Sequence, residues 1–583
     1  MVNVKNLFGM AVMATALVGC SSNDDLSANG NGNGEINVGA NYASFTIELP
    51  STNGGTRADG VTPGTPEYNP GDANEYAVNN AQLVVFKQAG ASEGEYTYVE
   101  TVDLGNLEPW NKDNGSGVTR FANITAELSK ATVKPTDKYY ALIVLNNDGK
   151  VTLPTTEGTT YSSWNVAANA TSTFLNKDNG FYMANAPEFV SGGEPTTLVA
   201  IKGIYRTKQE AQNKPATTVY VERGMAKVTI ESTSFVSKNV ETSTTYDGDK
   251  VQITNWTLDV LNKSTFPVHK TTGLTTSYPA IWSNTANTTD RFVGGGEFKR
   301  VYWGIDPNYD GSTLTTVANC QNQFYIVDPN GSTYNGDNTS TVTWTVKDKP
   351  LYCLENTFDI NNMKQGQTTR VLFQATYSPK CVETSSSKTF FMIGNNPKVW
   401  NIEALKEQIA NKAKEVLNTS ATVTVDIKTS APLLEGGTHF LTENDVTIKE
   451  GSVDKTTGFD FDKLNIKLGL DKTVVDASGN KILGIKTYEE GKCYYIARIK
   501  HFNELTPWVA GNDTYGGNNE KWLGRYGVLR NNWYELTVTK FSAPGYPDVP
   551  VVNPETPDDE DTKFINVEVK ILDWAKRSQQ VEL

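Results

Sequence analysis

Runs in which apolar and polar residues alternate recur along this chain, and a period of two leaves few folds open to it. In Ala43–Leu49, the residues Ala43, Phe45, Ile47 and Leu49 fall on one face and Ser44, Thr46 and Glu48 on the other. Successive side chains of a strand point to opposite faces, so this run reads as a half-buried strand. Comparable runs are Gln82–Lys87, Tyr139–Asn146, Thr218–Glu222, Ala226–Glu231, Gln252–Asp259, Thr341–Val346 and Arg370–Tyr377. Asn-Gly, Asp-Gly and Gly-Asn turn signals punctuate them. Short strands at this density predict antiparallel sandwiches. Helical spacing takes over clearly at Ile402–Leu417, where Ile402, Leu405, Ile409, Ala413 and Val416 form one apolar stripe. That stripe predicts a helix packed on a sheet.

A length of 583 residues allows roughly three to five units at about 100–200 residues each. Hydrophobic residues at 38% can supply real cores, and 48 Gly with 24 Pro exclude a collagen-like or wholly disordered chain. The net charge of −14, with no basic patch, argues against nucleic acid as a partner. The three histidines, His269, His439 and His501, are far apart and lack any local catalytic or metal-binding motif, so each reads as structural. The run Asn29–Gly34 precedes a strand rather than joining strand to helix, which makes it a tether and not a phosphate loop. Loops such as Asp306–Gly311 and Asp476–Gly479 lack the twelve-residue calcium pattern. The expectation is a chain with no catalytic residue, no metal and no cofactor. Cys320, Cys353, Cys381 and Cys493 show no Cys-x-x-Cys spacing and read either as two disulfides or as buried thiols. Cys493 shares a strand face with Tyr495, Ala497 and Ile499, which favours the core.

Both ends of the chain carry signals. Lys5 is followed by an apolar stretch, Leu7–Gly19, too short to span a bilayer, which ends in Leu17-Val18-Gly19-Cys20. Such an ending resembles a bacterial lipobox and implies acylation at Cys20, with Ser21–Asp25 similar to a surface-export signal. Residues 26–36 form a flexible tether. Near the other end, Ala543–Asp561 holds five prolines and an acidic run, predicting an extended leash. Phe564–Leu572 then resumes alternation, with Ile565, Val567, Val569 and Ile571 on one face, and Trp574 follows. A β-domain lacking a strand exposes an unpaired ladder and an apolar groove, which a neighbour's strand can fill. Residues 564–583 would reach about 66 Å when extended. One strand and one groove per subunit make a head-to-tail contact, which grows open filaments. Arg57 is the one basic residue between Lys5 and Lys87 and sits in the small-residue loop Gly54–Ala58. Cleavage after it would release the Ala43–Leu49 strand together with the lipid.

Particular blocks carry a family resemblance. Leu523-Gly-Arg-Tyr-Gly-Val-Leu-Arg-Asn-Asn-Trp-Tyr534, with Gly394–Pro397, Tyr494–Phe502, the Ile565–Trp574 tail and Tyr220–Val228, resembles the Bacteroidales major fimbrial subunits (fimbrillins, type V pilins). Cys20, Arg57-Ala58 and Tyr68-Asn-Pro70 are similar to the precursor layout. Length and tail most resemble the shaft subunits of the Porphyromonas minor fimbrium.

The resemblance implies a mainly β chain of two transthyretin-like, Greek-key antiparallel β-sandwich domains with few short helices, a lipoprotein signal and a C-terminal donor strand. It divides the chain into a signal peptide (1–19), a propeptide with a removable strand (20–57), an N-terminal domain (58–228), a C-terminal domain (229–547), and a linker with donor strand (548–583). It implies a pilus shaft subunit. An arginine-specific, gingipain-like protease would cut between Arg57 and Ala58, and Ile565, Val567, Val569, Ile571 and Trp574 would then fill a neighbour's groove. Implied partners are further copies, anchor and tip pilins, that protease, and host or bacterial surface receptors. The precursor would sit on the outer membrane and the mature form in the extracellular fimbrium. An anchor or tip subunit is the nearest alternative role. A surface glycan-binding lipoprotein is the other, with Trp508 or Trp522 available to stack on sugars.

Overall fold

The computed structural model describes residues 40–50, 72–107, 111–112, 118–169, 174–175, 179–189, 195–240, 245–274, 301, 303–309, 314–335, 337–357, 362–501, 526–558 and 565–573. Its first sheet has nine strands. The principal ones are β1 (Asn41–Pro50), β2 (Ala81–Lys87), β3 (Thr97–Gly105), β4 (Val118–Leu128), β5 (Tyr139–Leu145), β6 (Met183–Asn185) and β7 (Thr217–Arg223). They run in the order β3-β2-β5-β6-β7-β1-β4, with Asn111–Lys112 outside β4 and Val199–Ala200 beside β5. Phe45, Ile47, Ala122, Val219 and Val221 share one core with Leu83, Val85, Ala141 and Ile143. Strands well separated in the order thus meet across a single core, so the sheet curls over itself. The opposite face of β2 and β5, with Val84, Phe86, Leu142 and Val144, packs on Tyr161 and Trp164 and on Met225, Val268, Leu354 and Trp533 from further along the chain.

After β7 the chain turns at Gly224 and Met225 into a second body. Its main strands are β8 (Ala226–Ile230), β9 (Lys250–Asp259), β10 (Leu351–Cys353), β11 (Arg370–Ser378), β14 (Lys492–Arg498), β15 (Asn532–Phe541) and β16 (Ile565–Asp573); β12 (Val423–Ile427) and β13 (Val446–Glu450) belong to a side lobe. One four-stranded sheet runs β10-β8-β15-β16 and another runs from Lys238–Asn239 through β9-β11-β14. They enclose Val228, Trp256, Phe373, Tyr377, Tyr495 and Leu536, a two-sheet sandwich of the kind that alternation predicts. Cys493, Tyr495, Ala497 and Ile499 all lie in this core. The four described cysteines are free thiols; Cys320, Cys353 and Cys493 are buried and Cys381 is exposed. Burial pushes the thiols of Cys320, Cys353 and Cys493 up to about 12.

Three features depart from the expectations. Thr341–Val346 is not one strand: a strand ends at Thr341, and beyond it the backbone of Thr345 bridges Trp256. The edge of β9 is met there by side-chain hydrogen bonds, Thr257 Oγ1 to the Thr343 carbonyl at 3.0 Å and the Trp256 indole to the Val346 carbonyl at 3.3 Å. Second, a side lobe with its own core leaves the sandwich between Phe390 and Tyr488, whose rings stack at 4.3 Å and 8°. Helix α1 (Ile402–Leu417) lies in this lobe, N-capped by Asn401, with Leu405, Ile409 and Ala413 buried and Ile402 exposed. It packs with β12 and β13 around Val425, Val446 and Ile448. Third, the proline-rich leash is not free between 543 and 558. Tyr546 bridges Tyr494, the Arg370 guanidinium donates to the Pro550 carbonyl at 2.7 Å, and Thr368 donates to Asp558 at 3.0 Å. Val549, Val552 and Asp558 are fully covered.

Candidate strand-exchange site

Strand β1 is interior to its sheet, held on both edges. It runs antiparallel to β4, with Phe45 opposite Ile124 and Ile47 opposite Ala122. It runs parallel to β7, with Phe45 opposite Thr217 and Glu48 opposite Tyr220. The four inward residues singled out by alternation, Ala43, Phe45, Ile47 and Leu49, are each 0% exposed. On the outer face Ser44 pairs with the Thr125 hydroxyl at 3.0 Å and Thr46 donates to Asn123 at 2.8 Å. The Tyr42 backbone exchanges two hydrogen bonds with Tyr205, at 2.7 and 2.8 Å. Phe45, Ile47 and Leu49 together stabilise the sheet by about 5–9 kcal/mol of apolar burial. Without β1, the facing edges of β4 and β7 would lose their ladder partners and the core would open to water.

The chain after β1 is pinned separately. Glu75, in the helical turn Ala73–Tyr76, is fully buried. It takes the Lys227 ammonium at 2.9 Å and the Tyr352 hydroxyl, and its carbonyl accepts from the Arg223 guanidinium at 2.7 Å. Burial holds the Lys227 ammonium below its ordinary range, against the pull of Glu75. Lys227 also sits 3.8 Å from the centre of the Trp533 ring. The segment from Asp72 onward therefore has an anchorage separate from the contacts that hold β1.

Strand β16 lies at the far edge of the second body, antiparallel to β15. Ile565, Val567, Val569 and Ile571 stand in register with Phe541, Val538, Leu536 and Tyr534. The four positions singled out in the tail therefore fall opposite four buried positions of β15. Cys20, Arg57, Ala58 and Trp574 lie outside the described residues.

Two of the motif blocks, around Arg223 and around Arg530–Tyr534, meet at the seam between the two bodies. Asn531, at φ 58°, accepts from the Arg223 amide at 3.3 Å and the Arg223 guanidinium at 3.0 Å. Arg530 pairs with Glu355, and His269 lies 3.2 Å from Glu222 and 3.5 Å from Glu355, all of them buried. The Tyr534 hydroxyl takes the Leu529 amide at 2.9 Å and lies 2.7 Å from His501 Nδ1. Sequence reasoning named these blocks without finding their job. A dense run of charged and amide residues beside strand patterns was the available signal. His439, by contrast, is partly exposed, with Nε2 2.8 Å from the Glu435 carbonyl. Among the described residues no group of three or more His, Cys, Asp or Glu side chains is placed to hold a metal ion, and no helix is long and apolar enough to cross a membrane.

The described residues thus hold one interior strand, β1, and one edge strand, β16, of matching period. Residues 486–580 match the family model "Major fimbrial subunit protein type IV, Fimbrillin, C-terminal", so this part of the chain is similar to fimbrillin C-terminal domains. Among solved structures it is similar to a candidate cell adhesion protein from Parabacteroides distasonis, at 11% identity over 92% of this chain and 99% of that one, TM-score 0.35. A second candidate cell adhesion protein, from Bacteroides eggerthii, shows 13% identity over 91% and 96%, TM-score 0.31. A fimbrial assembly protein from Parabacteroides distasonis shows 12% over 62% and 85%, TM-score 0.21. No curated protein matches.

Proposed function

We propose that this chain is the shaft subunit of a type V pilus and polymerises by protease-triggered strand exchange. The observation that carries the reading is the position of β1, an interior strand paired on both edges, whose removal would uncover two ladders and a core. The precursor is acylated at Cys20 and reaches the outer membrane. An arginine-specific protease cuts between Arg57 and Ala58, and β1 leaves with the lipid. The 565–573 strand of another copy, with Trp574, then enters the opened groove, and the mature subunit lies in the extracellular fimbrium. Partners are other copies, anchor and tip pilins, the protease and surface receptors. The division at 228/229 between N-terminal and C-terminal domains belongs to the same reading.

The docked 543–558 segment supports a specific hinge. From Asp558 onward, residues 559–583 span about 80 Å when extended, enough to cross to a neighbour while the leash stays on its own subunit. N-terminal sequencing of material sheared from cells, with negative-stain microscopy, tests the reading. A start at Ala58 in filaments, abolished together with the filaments in Arg57→Ala, is the expected result. Filaments that persist with an intact Arg57-Ala58 bond would sink it.

A further inference from the structure

Between the side lobe, the sandwich and the docked leash lies a cleft of about 780 Å³, a volume in the range of small-ligand sites. Tyr546–Val551 of the leash form one wall, Gly436–Phe440 and Asn480–Leu483 of the lobe another, and Asn330 and Ile496 of the sandwich a third. Lys486 lines it in register with Thr438, and burial holds its ammonium below the ordinary lysine range. A cation stripped of water gains from a carboxylate that takes the water's place. Lys481 adds a second ammonium, 5.9 Å from the centre of the Phe440 ring. On the leash wall, Asp548 is half-buried, and its carboxyl is raised by burial while His439 and Lys492 draw it down. Gly437, at φ 130°, permits that approach, since a Cβ there would lie 3.2 Å from Asp548 Oδ1. Asp476 also lines the cleft but is engaged in its own turn, accepting the Ser478 and Asn480 amides at 2.8 and 2.9 Å.

We propose that this cleft binds an acidic saccharide, with Lys486 taking the sugar's carboxylate, Asp548 accepting from its hydroxyls and Phe440 lying against an apolar ring face. A sugar acid sets one carboxylate apart from a row of hydroxyl donors. That arrangement matches an ammonium on the lobe and a carboxylate on the leash. An acidic peptide matches it less well, because its successive carboxylates would meet Asp548 as well as Lys486. The side-chain amides of Asn330 and Asn395 and the rings of Phe440 and Tyr546 suit a ligand that carries both hydroxyls and C–H faces. None of the described lining residues belongs to β1 or β16, so the inference stands apart from the exchange reading. Because the leash is one wall, a bound sugar would also hold Tyr546–Val551 against the body.

The test is direct binding to the purified full chain. Calorimetry compares sialyllactose and a hyaluronan oligosaccharide with neutral lactose, and hydrogen–deuterium exchange locates the bound sugar. At least one acidic sugar should bind, lactose should bind about tenfold more weakly, and Lys486→Met should cost the acidic sugar about tenfold. Exchange at Tyr546–Val551 and Gly436–Phe440 should slow when the sugar is added. That protection in the natural chain decides the location even if Lys486→Met misfolds. Failure of both acidic sugars to bind at millimolar concentration overturns the proposal. So does unchanged affinity in a folded Lys486→Met chain, or protection confined to another part of the molecule. If the peptide Asp-Asp-Glu-Asp binds as tightly as the sugar and depends equally on Lys486, the cleft is an acidic-peptide site and the saccharide assignment falls.

Discussion

Individual side chains show how environment, more than residue type, sets behaviour in this protein. Glu93 lies half-buried beside Tyr96 and Leu198, and burial pushes its carboxyl up to about 6 although the Thr197 and Leu198 amides oppose the shift. An acid whose folded value is raised gives up its proton first in the unfolded chain. Its contribution to stability is therefore fully present below about 4.5 and lost as pH rises through about 6, a change of about 2 kcal/mol. Glu93→Gln should remove that component, so that urea midpoints measured between pH 4 and 7 fall less steeply than for the natural chain. Identical slopes would mean that water reaches the carboxyl freely. Nothing local in Ser92-Glu93-Gly94 announces this, because the desolvation comes from residues 96–200 folded around it. Arg530 and Asn531 teach the same lesson. Their motif is visible in the sequence, but Glu355 and Arg223, the partners that explain them, lie 175 and 308 positions away.

Strands of nearly identical pattern end up in different places, and their neighbours decide the consequence. β1 and β16 both alternate over four apolar positions, and both were legible as strands from that alternation alone. β1 has partners on two edges, whereas β16 has one, β15, and ends its sheet. Opening β1 to solvent breaks two ladders and a core, while β16 detaches by breaking one ladder. Hydrogen–deuterium exchange should therefore show amides of Asn41–Leu49 exchanging at least about 100-fold more slowly than those of Ile565–Asp573. Comparable rates would contradict the interior placement of β1. The partner strands were not legible. Pairing with β7 requires closing a loop of some 170 residues, and pattern within a strand carries no record of which distant edge it meets. Thr341–Val346 failed as a strand for a related reason: its alternation was real, but the edge of β9 offers it a bridge and side-chain bonds instead of a full ladder.

At the level of the molecule, separate cores make separable units. The 390–488 lobe buries its own cluster and joins the sandwich at the Phe390–Tyr488 stack. Replacing residues 395–483 by a short Gly-Ser linker should leave the sandwich folded and β1 still protected, with only the lobe's share of the unfolding enthalpy lost in calorimetry. Collapse of the whole chain on excision would show that the lobe is part of the sandwich's cooperative unit. The leash is the opposite case. Its prolines forbid a central strand, as the sequence shows, yet Arg370, Thr368 and Tyr494 strap it to the body. Those contacts dock residues 546–558 on the body.

Alternation, turn chemistry and proline content are local, and they determined from sequence alone that this is a β-rich chain with one alternating strand at Ala43–Leu49 and another at Ile565–Ile571. They also placed helix α1 and the burial of Cys493. What only the tertiary structure decided is every relation between distant segments: the two-sided pairing of β1, the seam around Arg223 and Arg530, and the docked leash. The reason is physical. A side chain's face follows from its own dihedral period, but its partner, dielectric surroundings and exposure follow from which parts of the chain close on one another, and that is a property of the whole packed molecule.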